Sequence, residues 1–421
     1  MNRINLDAQS STPPAPEVIE AMRPYLSGNF ASAAAAHYSG KQVRKAIERA
    51  REQIAAAISA SDVEEIIFTG SGTEANNLAI KGILTARKPF GNHVLSTPLD
   101  HPSVWFSIQS MISQGFEHGV WEVDAVGRLP GIECLGENLR QDTILASVPV
   151  STPELGIVQP IHAISEWLER EGVALMLDAT TAGGWTPLDV ATLKPSLMSL
   201  SPHRFHGPKG VGILYKRRGV SLVPLMHGGN QEFGLRAGTE NVASIVGAGK
   251  AFELMSGILD ERIENACKLQ SFLLREIKSK IPSTGIIGPA PGKDRLSNQL
   301  NIVFEGVEGE ALMLMTNVRG LDCHTGISCV NRHMESNRIP KATGLPDDLF
   351  RSSLLLSWHE EHTKADLYGA VEIIAACVGK LREMSPLWNN LQCGRMPSRL
   401  SLLPEILQSS QQPLPSDGES L

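Results

Sequence analysis

Short apolar runs and segments of helical periodicity alternate along most of this chain. The run in "EEIIFTGSG" (64–72) enters a Gly-rich turn, and "TEANNLAIKGILTAR" (73–87) then carries apolar residues at helical spacing. "HVLSTPLDHPSV" (93–104), "TILASVPVS" (143–151) and "VALMLDATT" (173–181) contain near-continuous apolar runs, the pattern of strands buried on both faces. Helical or loop segments such as "IHAISEWLEREG" (161–172) separate them. The alternation predicts an α/β fold with a mostly parallel sheet sandwiched by helices. Near 255–285, "SGILDERIENACKLQSFLLREIKSKI" predicts one long amphipathic helix. "LSNQLNIVFEG" and "FRSSLLLSWHE" follow as strands of a smaller α+β unit. The expected division is a large unit over 1–254, with its first residues packing on the small one, a small unit over 255–384, and an extension over 385–421. The extension ends in "SSQQPLPSDGESL", too polar and Pro/Ser-rich to build a core.

Composition narrows the picture little. The chain has 421 residues, 42% hydrophobic and 20% charged, enough for a large core. The formal charge is −7 and the basic residues are scattered, which argues against a nucleic-acid face. No apolar run reaches membrane-spanning length, and "MNRINLDAQSSTPPAP" has no apolar signal region, so no membrane partner is expected. The six cysteines lack paired spacing, which suits a reduced, cytoplasmic setting.

The candidate chemistry sits at strand ends. In "FTGSGTEANN" (68–77), Gly70, Ser71, Gly72 and Thr73 place free backbone N–H groups at a helix start, which is either a turn or an anion site. The stretch fits neither the dinucleotide fingerprint nor the Walker loop. Asp178 ends the run "LMLD", where a carboxylate either caps the next segment or faces a ligand. His101 follows another strand, as a structural hydrogen bonder or a reactive group. Ser201, His203 and Arg204 stand at a third strand end, in "SLSPHRFHGPKGVGILY" (200–216).

These stretches, with "NLDAQSSTPP", "LDHPSV", "ELGIVQPI", "MHGGNQEFGLRAGTEN" and "GISC", resemble the cysteine desulfurases among the class V aminotransferases of pyridoxal phosphate (PLP) fold type I. The resemblance covers about 4–384. It implies that Gly72, Thr73, Ser201 and His203 hold the PLP phosphate, and that Thr239 reaches the phosphate of a partner subunit. His101 would stack on the ring and handle protons, and Asp178 would pair with the ring nitrogen. Cys329 would take sulfur from the substrate. The implied partners are a second copy or a homologous desulfurase, and a sulfur-acceptor protein.

The same resemblance exposes departures. Arg204 stands where the family has its Schiff-base lysine, and a guanidinium offers no free amine. Pro153 stands at a ring-binding asparagine, Thr181 at a glutamine, and Leu355 at a carboxylate-binding arginine. Lys209 matches a second family lysine with a structural role. Three readings follow: a degenerate desulfurase acting as a partner, a PLP enzyme with altered chemistry, or a sulfur or metal carrier using the Cys329 loop. For the last, Cys323, His324, Cys329 and His333 offer zinc-type ligands, though not at a standard spacing.

Overall fold

The computed structural model describes residues 3–326, 338–403 and 405–407. Seven strands form the larger sheet in the order Ile66–Thr69, Gly212–Lys216, Leu197–Leu200, Ala174–Asp178, Thr143–Pro149, His93–Ser96, Glu117–Val120. The last five run parallel to one another, while Gly212–Lys216 is antiparallel to both its neighbours. Both faces are covered, and successive residues serve opposite cores. Leu175, Leu177, Met198 and Ile213 join one apolar cluster, whereas Met176, Leu197 and Leu214 join the other. This is why the strands read as unbroken apolar runs rather than alternating ones. Helices Tyr38–Ala57 and Val242–Ser256 bring Val43, Ile47, Ile54 and Ile245 to the first core. Helices Gly72–Arg87 and Pro102–Ile112 bring Leu78, Ile83, Val104 and Ile108 to the second.

The smaller sheet is antiparallel, in the order His324–Thr325, Ser353–Ser357, Gln299–Phe304, Thr284–Ile287, Glu405–Leu407. Helices Leu259–Lys280 and Lys364–Glu383 supply Leu273, Ile277, Leu367 and Ile374 to its core. The single helix expected near 255–285 begins only at Leu259. It meets Val242–Ser256 at a 73° bend. Among the described residues no single helix is long and apolar enough to cross a membrane. In the extension, Pro386–Gln392 is helical and Glu405–Leu407 adds an edge strand, while 408–421 lie outside the described residues.

The N-terminal segment positions the site. Ile4–Asn5 pairs in parallel with Leu321–Asp322, and Ser357 N–H donates to the Leu6 carbonyl. The chain then crosses to the larger sheet, where Thr12 N–H and its hydroxyl both donate to the His203 carbonyl. Residues 7–12 therefore run from the strand Ser353–Ser357 to His203 and Arg204.

Two half-buried histidines make the fold sensitive to acid. His118 lies between Ser96 Oγ (2.7 Å) and Gln109 Nε2 (2.8 Å), and burial first, then His93 and Arg338, push its pKa down to about 4. Burial, Arg204 and Lys209 push His203 down to about 4 as well. Below the unfolded value of 6.5 the unfolded chain takes up protons that these rings refuse. Stability from them is therefore full above about pH 6.5 and is lost as pH falls toward 4. Asp100, pushed up to about 7 by burial, acts in the opposite sense over the same window. We expect His118→Gln to flatten the fall of the urea midpoint between pH 6.5 and 4 relative to wild type; parallel profiles would refute the assignment.

Candidate functional site

Residues that follow several strand ends come together: Gly72 meets Ser201 and Thr180, and Asn76 links Asp178 to Ser103. Helix Gly72–Arg87 starts directly after Ile66–Thr69, with Ser71 Oγ accepting from Glu74 N–H at 3.1 Å. A Cβ at Gly72 would stand 2.3 Å from Ser201 Oγ and 2.8 Å from Thr180 Cγ2. The sequence-predicted Gly72 and Ser201 thus meet, and a larger residue at 72 would push the Ser201 hydroxyl or the Thr180 methyl aside. Thr73 is exposed in the same turn. His203 lies in the short turn Pro202–Arg204, and its Nδ1 is buried without a hydrogen-bond partner. With its pKa near 4 the ring is neutral, so this nitrogen is free to bond a ligand oxygen. A helix N-terminus, a hydroxyl and an unpartnered imidazole together suit a phosphate. Gly72→Ala is therefore expected to weaken phosphate-ester binding about ten- to a hundredfold, the loss of one hydrogen bond to a charged group. Unchanged affinity by calorimetric titration would show that the turn holds no anion.

Asp178 ends its strand buried. Its Oδ2 accepts from Asn76 Nδ2 (2.9 Å), and its Oδ1 accepts from Thr180 N–H (2.9 Å) and Thr180 Oγ1 (2.6 Å). Asn76 also donates to Ser103 Oγ at 2.9 Å, tying this carboxylate to the start of the helix that His101 caps. His101 Nδ1 accepts from Ser103 N–H at 3.1 Å, which leaves the proton of the neutral ring on Nε2. The residue is exposed. The surrounding protein lowers its pKa chiefly by desolvation, with Asp178 opposing and Arg204 assisting.

Arg204 occupies the same centre. Its Nη1 donates to the Gln9 carbonyl and to Gln9 Oε1 (3.2 Å), and its Nε is buried without a partner. Burial lowers its pKa, while Asp178, Glu154 and Asp7 pull it up. A guanidinium in that company stays charged. Lys209 is exposed, and its backbone carbonyl accepts from Ser244 Oγ at 3.4 Å. Thr181 is buried beside Asp178, and Leu355 is buried in the strand Ser353–Ser357, paired with Asn301 and His324. Thr239 is exposed and lines a separate cavity of about 200 Å³ with Gly70, Arg236 and Asn241.

Cys329 and His333 lie outside the described residues. Of the other cysteines, Cys323 is pushed up to about 11 by burial, and burial also raises Cys267 and Cys377. Such thiols stay protonated at neutral pH, which makes them poor nucleophiles. Sequence reasoning missed four contributors. Asn76 orients Asp178, and Gln9 receives Arg204. The hydroxyls of Ser151 and Thr152 are buried without partners beside Pro153. Their signal was the pair of hydroxyl residues after an apolar run, overshadowed by the proline.

The class V aminotransferase family matches residues 4–364. This chain belongs to it. The cysteine desulfurase IscS of Methanosarcina thermophila is 39% identical over 384 residues, 91% of this chain and 94% of that one. The IscS of Dictyoglomus turgidum is 38% identical over 383 residues, 91% and 96% of the two chains. A solved NifS-like protein superposes with a TM-score of 0.84 at 27% identity, covering 90% of this chain and all of that one. SspA in complex with cysteine superposes with a TM-score of 0.73 at 31% identity, over 85% and 99%. The fold is PLP fold type I, and the class V aminotransferases and cysteine desulfurases are PLP-dependent. The site fits that cofactor in two of three respects. The Gly72–Ser201–His203 turn suits its phosphate and Asp178 its ring nitrogen, but residue 204 offers no amine for its aldehyde.

Proposed function

We propose that this cysteine desulfurase-family chain holds PLP without a covalent lysine link. By itself it has weak or no cysteine desulfurase activity, and it works as a homodimer or beside a lysine-bearing homologue. Arg204 carries the reading: it stands at the family's lysine position, and its guanidinium is engaged by Gln9 and by the charges of Asp178 and Glu154. Bound PLP supplies an electron sink for bonds at an amino-acid Cα. Gly72, Ser201 and His203 would bind its phosphate, and Asp178, braced by Asn76 and Thr180, would hold the ring nitrogen. Leu355 leaves a substrate carboxylate without a fork of donors. Pro153 and Thr181 remove two further polar contacts, although the free Thr152 hydroxyl lies next to the ring position.

A second reading, altered but retained cofactor chemistry, is favoured by His101, whose Nε2 carries the ring proton and can donate it to a bound group. The relatives' names also weigh toward sulfur chemistry. Thr239, exposed in "RAGTEN", would complete the phosphate site of a partner subunit.

One experiment separates these readings. The purified chain is given PLP and L-cysteine, with and without a lysine-bearing desulfurase, and sulfide and protein persulfide are followed. We expect little sulfide from the chain alone, persulfide on Cys329 only when the active enzyme is present, and loss of that label in Cys329→Ser. The raised pKa values of Cys267, Cys323 and Cys377 make them poor competitors. Rapid sulfide release by the chain alone would establish the second reading. Sedimentation at 45.5 kDa, the mass of one chain, would count against a shared site.

A further inference from the structure

We propose that His206, His359 and Glu360 bind a divalent transition-metal ion, Zn²⁺ first among them, clasping the turn after Arg204 to the small antiparallel sheet. One ligand atom from each residue lies within 4.8 Å of the other two. His206 follows the turn Pro202–Arg204, and His359–Glu360 follow the strand Ser353–Ser357, so the cluster joins the two sheets.

The protons argue for a cation at this place. His206 Nδ1 is 2.8 Å from the Pro13 carbonyl, an oxygen that can only accept, so Nδ1 carries the hydrogen. In the neutral ring Nε2 is then a lone pair, and it faces Glu360 Oε2 at 3.2 Å. Two acceptors this close repel unless a proton or a metal stands between them. A ligating histidine whose other nitrogen donates to a backbone carbonyl is the usual arrangement at zinc. His206 is 6% exposed, and its Nε2, His359 Nδ1 and Glu360 Oε2 are all buried without an aligned hydrogen bond. His206 also holds a left-handed backbone, φ 63°, kept there by Thr12 Oγ1 accepting from its N–H at 2.7 Å. Glycine would adopt this conformation more cheaply, so the imidazole has its own use here.

Two nitrogens and one carboxylate oxygen suit Zn²⁺, with water in a fourth position. Arg262 orients the carboxylate: its Nε lies 2.9 Å from Glu360 Oε2 and its guanidinium stacks 3.7 Å from the Trp185 ring centre. Its positive charge opposes a dication, so the affinity is moderate rather than that of a closed structural site.

The test is equilibrium dialysis of the full chain against Zn²⁺, with Co²⁺ as the spectroscopic probe. We expect one ion per chain, an absorption spectrum without a thiolate-to-cobalt band, and a Zn²⁺-dependent rise in Tm. Both the bound ion and the Tm shift should disappear in His359→Ala and in Glu360→Gln, and persist in Cys329→Ser. Absence of bound ion in wild type would leave a protonated His206–Glu360 ion pair and overturn the proposal. So would binding that vanishes in Cys329→Ser or shows the thiolate band. If Glu360→Gln folds poorly, His359→Ala still decides the matter, since a purely structural role for His359 would leave the Zn²⁺ response intact.

Discussion

Arg204→Lys, mixed with PLP and reduced with borohydride, is expected to carry one pyridoxyl group on residue 204. The wild-type chain should carry none in the peptide 200–210. The gain is all-or-none because the obstacle is chemical: an amine attacks an aldehyde and a guanidinium does not. The surroundings already favour it. Asp178 remains braced by Asn76 and Thr180, and Ser201 and Gly72 keep their close contact. The shorter lysine also releases Gln9, whose carbonyl and side chain both bond Arg204. On the proposed reading desulfuration should stay low, because Leu355 would supply no charge-assisted pair to a substrate carboxylate. That absence costs about 2–5 kcal/mol. Adding Leu355→Arg should raise activity more in the Arg204→Lys chain than in wild type, the non-additivity expected within one site. A stoichiometric adduct on Lys209 in wild type would overturn the assignment of residue 204 as the defective anchor. Full desulfurase activity from Arg204→Lys alone would show that Pro153, Thr181 and Leu355 matter little.

Glu232→Gln is expected to destabilise the fold by about 3–5 kcal/mol, the usual consequence of stranding one member of a buried ion pair. Arg51 bonds Glu232 through both terminal nitrogens at 2.9 Å, with side-chain exposures of 3% and 4%. Burial by itself lowers the pKa of this guanidinium, but hydrogen bonds and charge from Glu232 outweigh it and raise the net value. Glu232 Oε2 also accepts from Phe68 N–H at 2.7 Å, so the pair locks helix Tyr38–Ala57 and the strand Ile66–Thr69 to the segment leading into Thr239. The ring centres of Phe68 and Phe233 flank the guanidinium at 4.8 and 5.0 Å. Urea denaturation of the single variants and of Arg51→Met/Glu232→Gln provides the check. The double variant should recover much of the loss, because no buried charge is left unpaired. A single-variant loss below about 1 kcal/mol, the range of exposed pairs, would mean that the site admits water.

Local chemistry made part of this protein legible from its residues alone. Apolar runs such as "LMLD" can be buried only between two layers, so the mostly parallel, helix-covered sheet follows from pattern. Gly72 could be assigned to a helix start because a Gly-rich turn after a strand has few other conformations. Asp178, His101 and Ser201 could be placed at strand ends for the same reason. The long amphipathic helix near 255–285 was legible as well and is found as Leu259–Lys280, whereas the 73° bend that sets it off from Val242–Ser256 is a feature of the tertiary packing.

What decided the site is not local. Arg204 meets Gln9 across 195 positions, and Arg51 meets Glu232 across 181. Whether a buried cation finds an acceptor cannot be read from its neighbours in the chain. The N-terminal segment's return from Leu321–Asp322 to His203 puts Gln9 against Arg204, and the turn after the strand Ser353–Ser357 puts Glu360 against His206. The residues carry their chemistry in the sequence, a guanidinium, an imidazole, a carboxylate. Their partners, burial and protonation come from packing, because desolvation and charge act through space between elements that only the tertiary fold brings together.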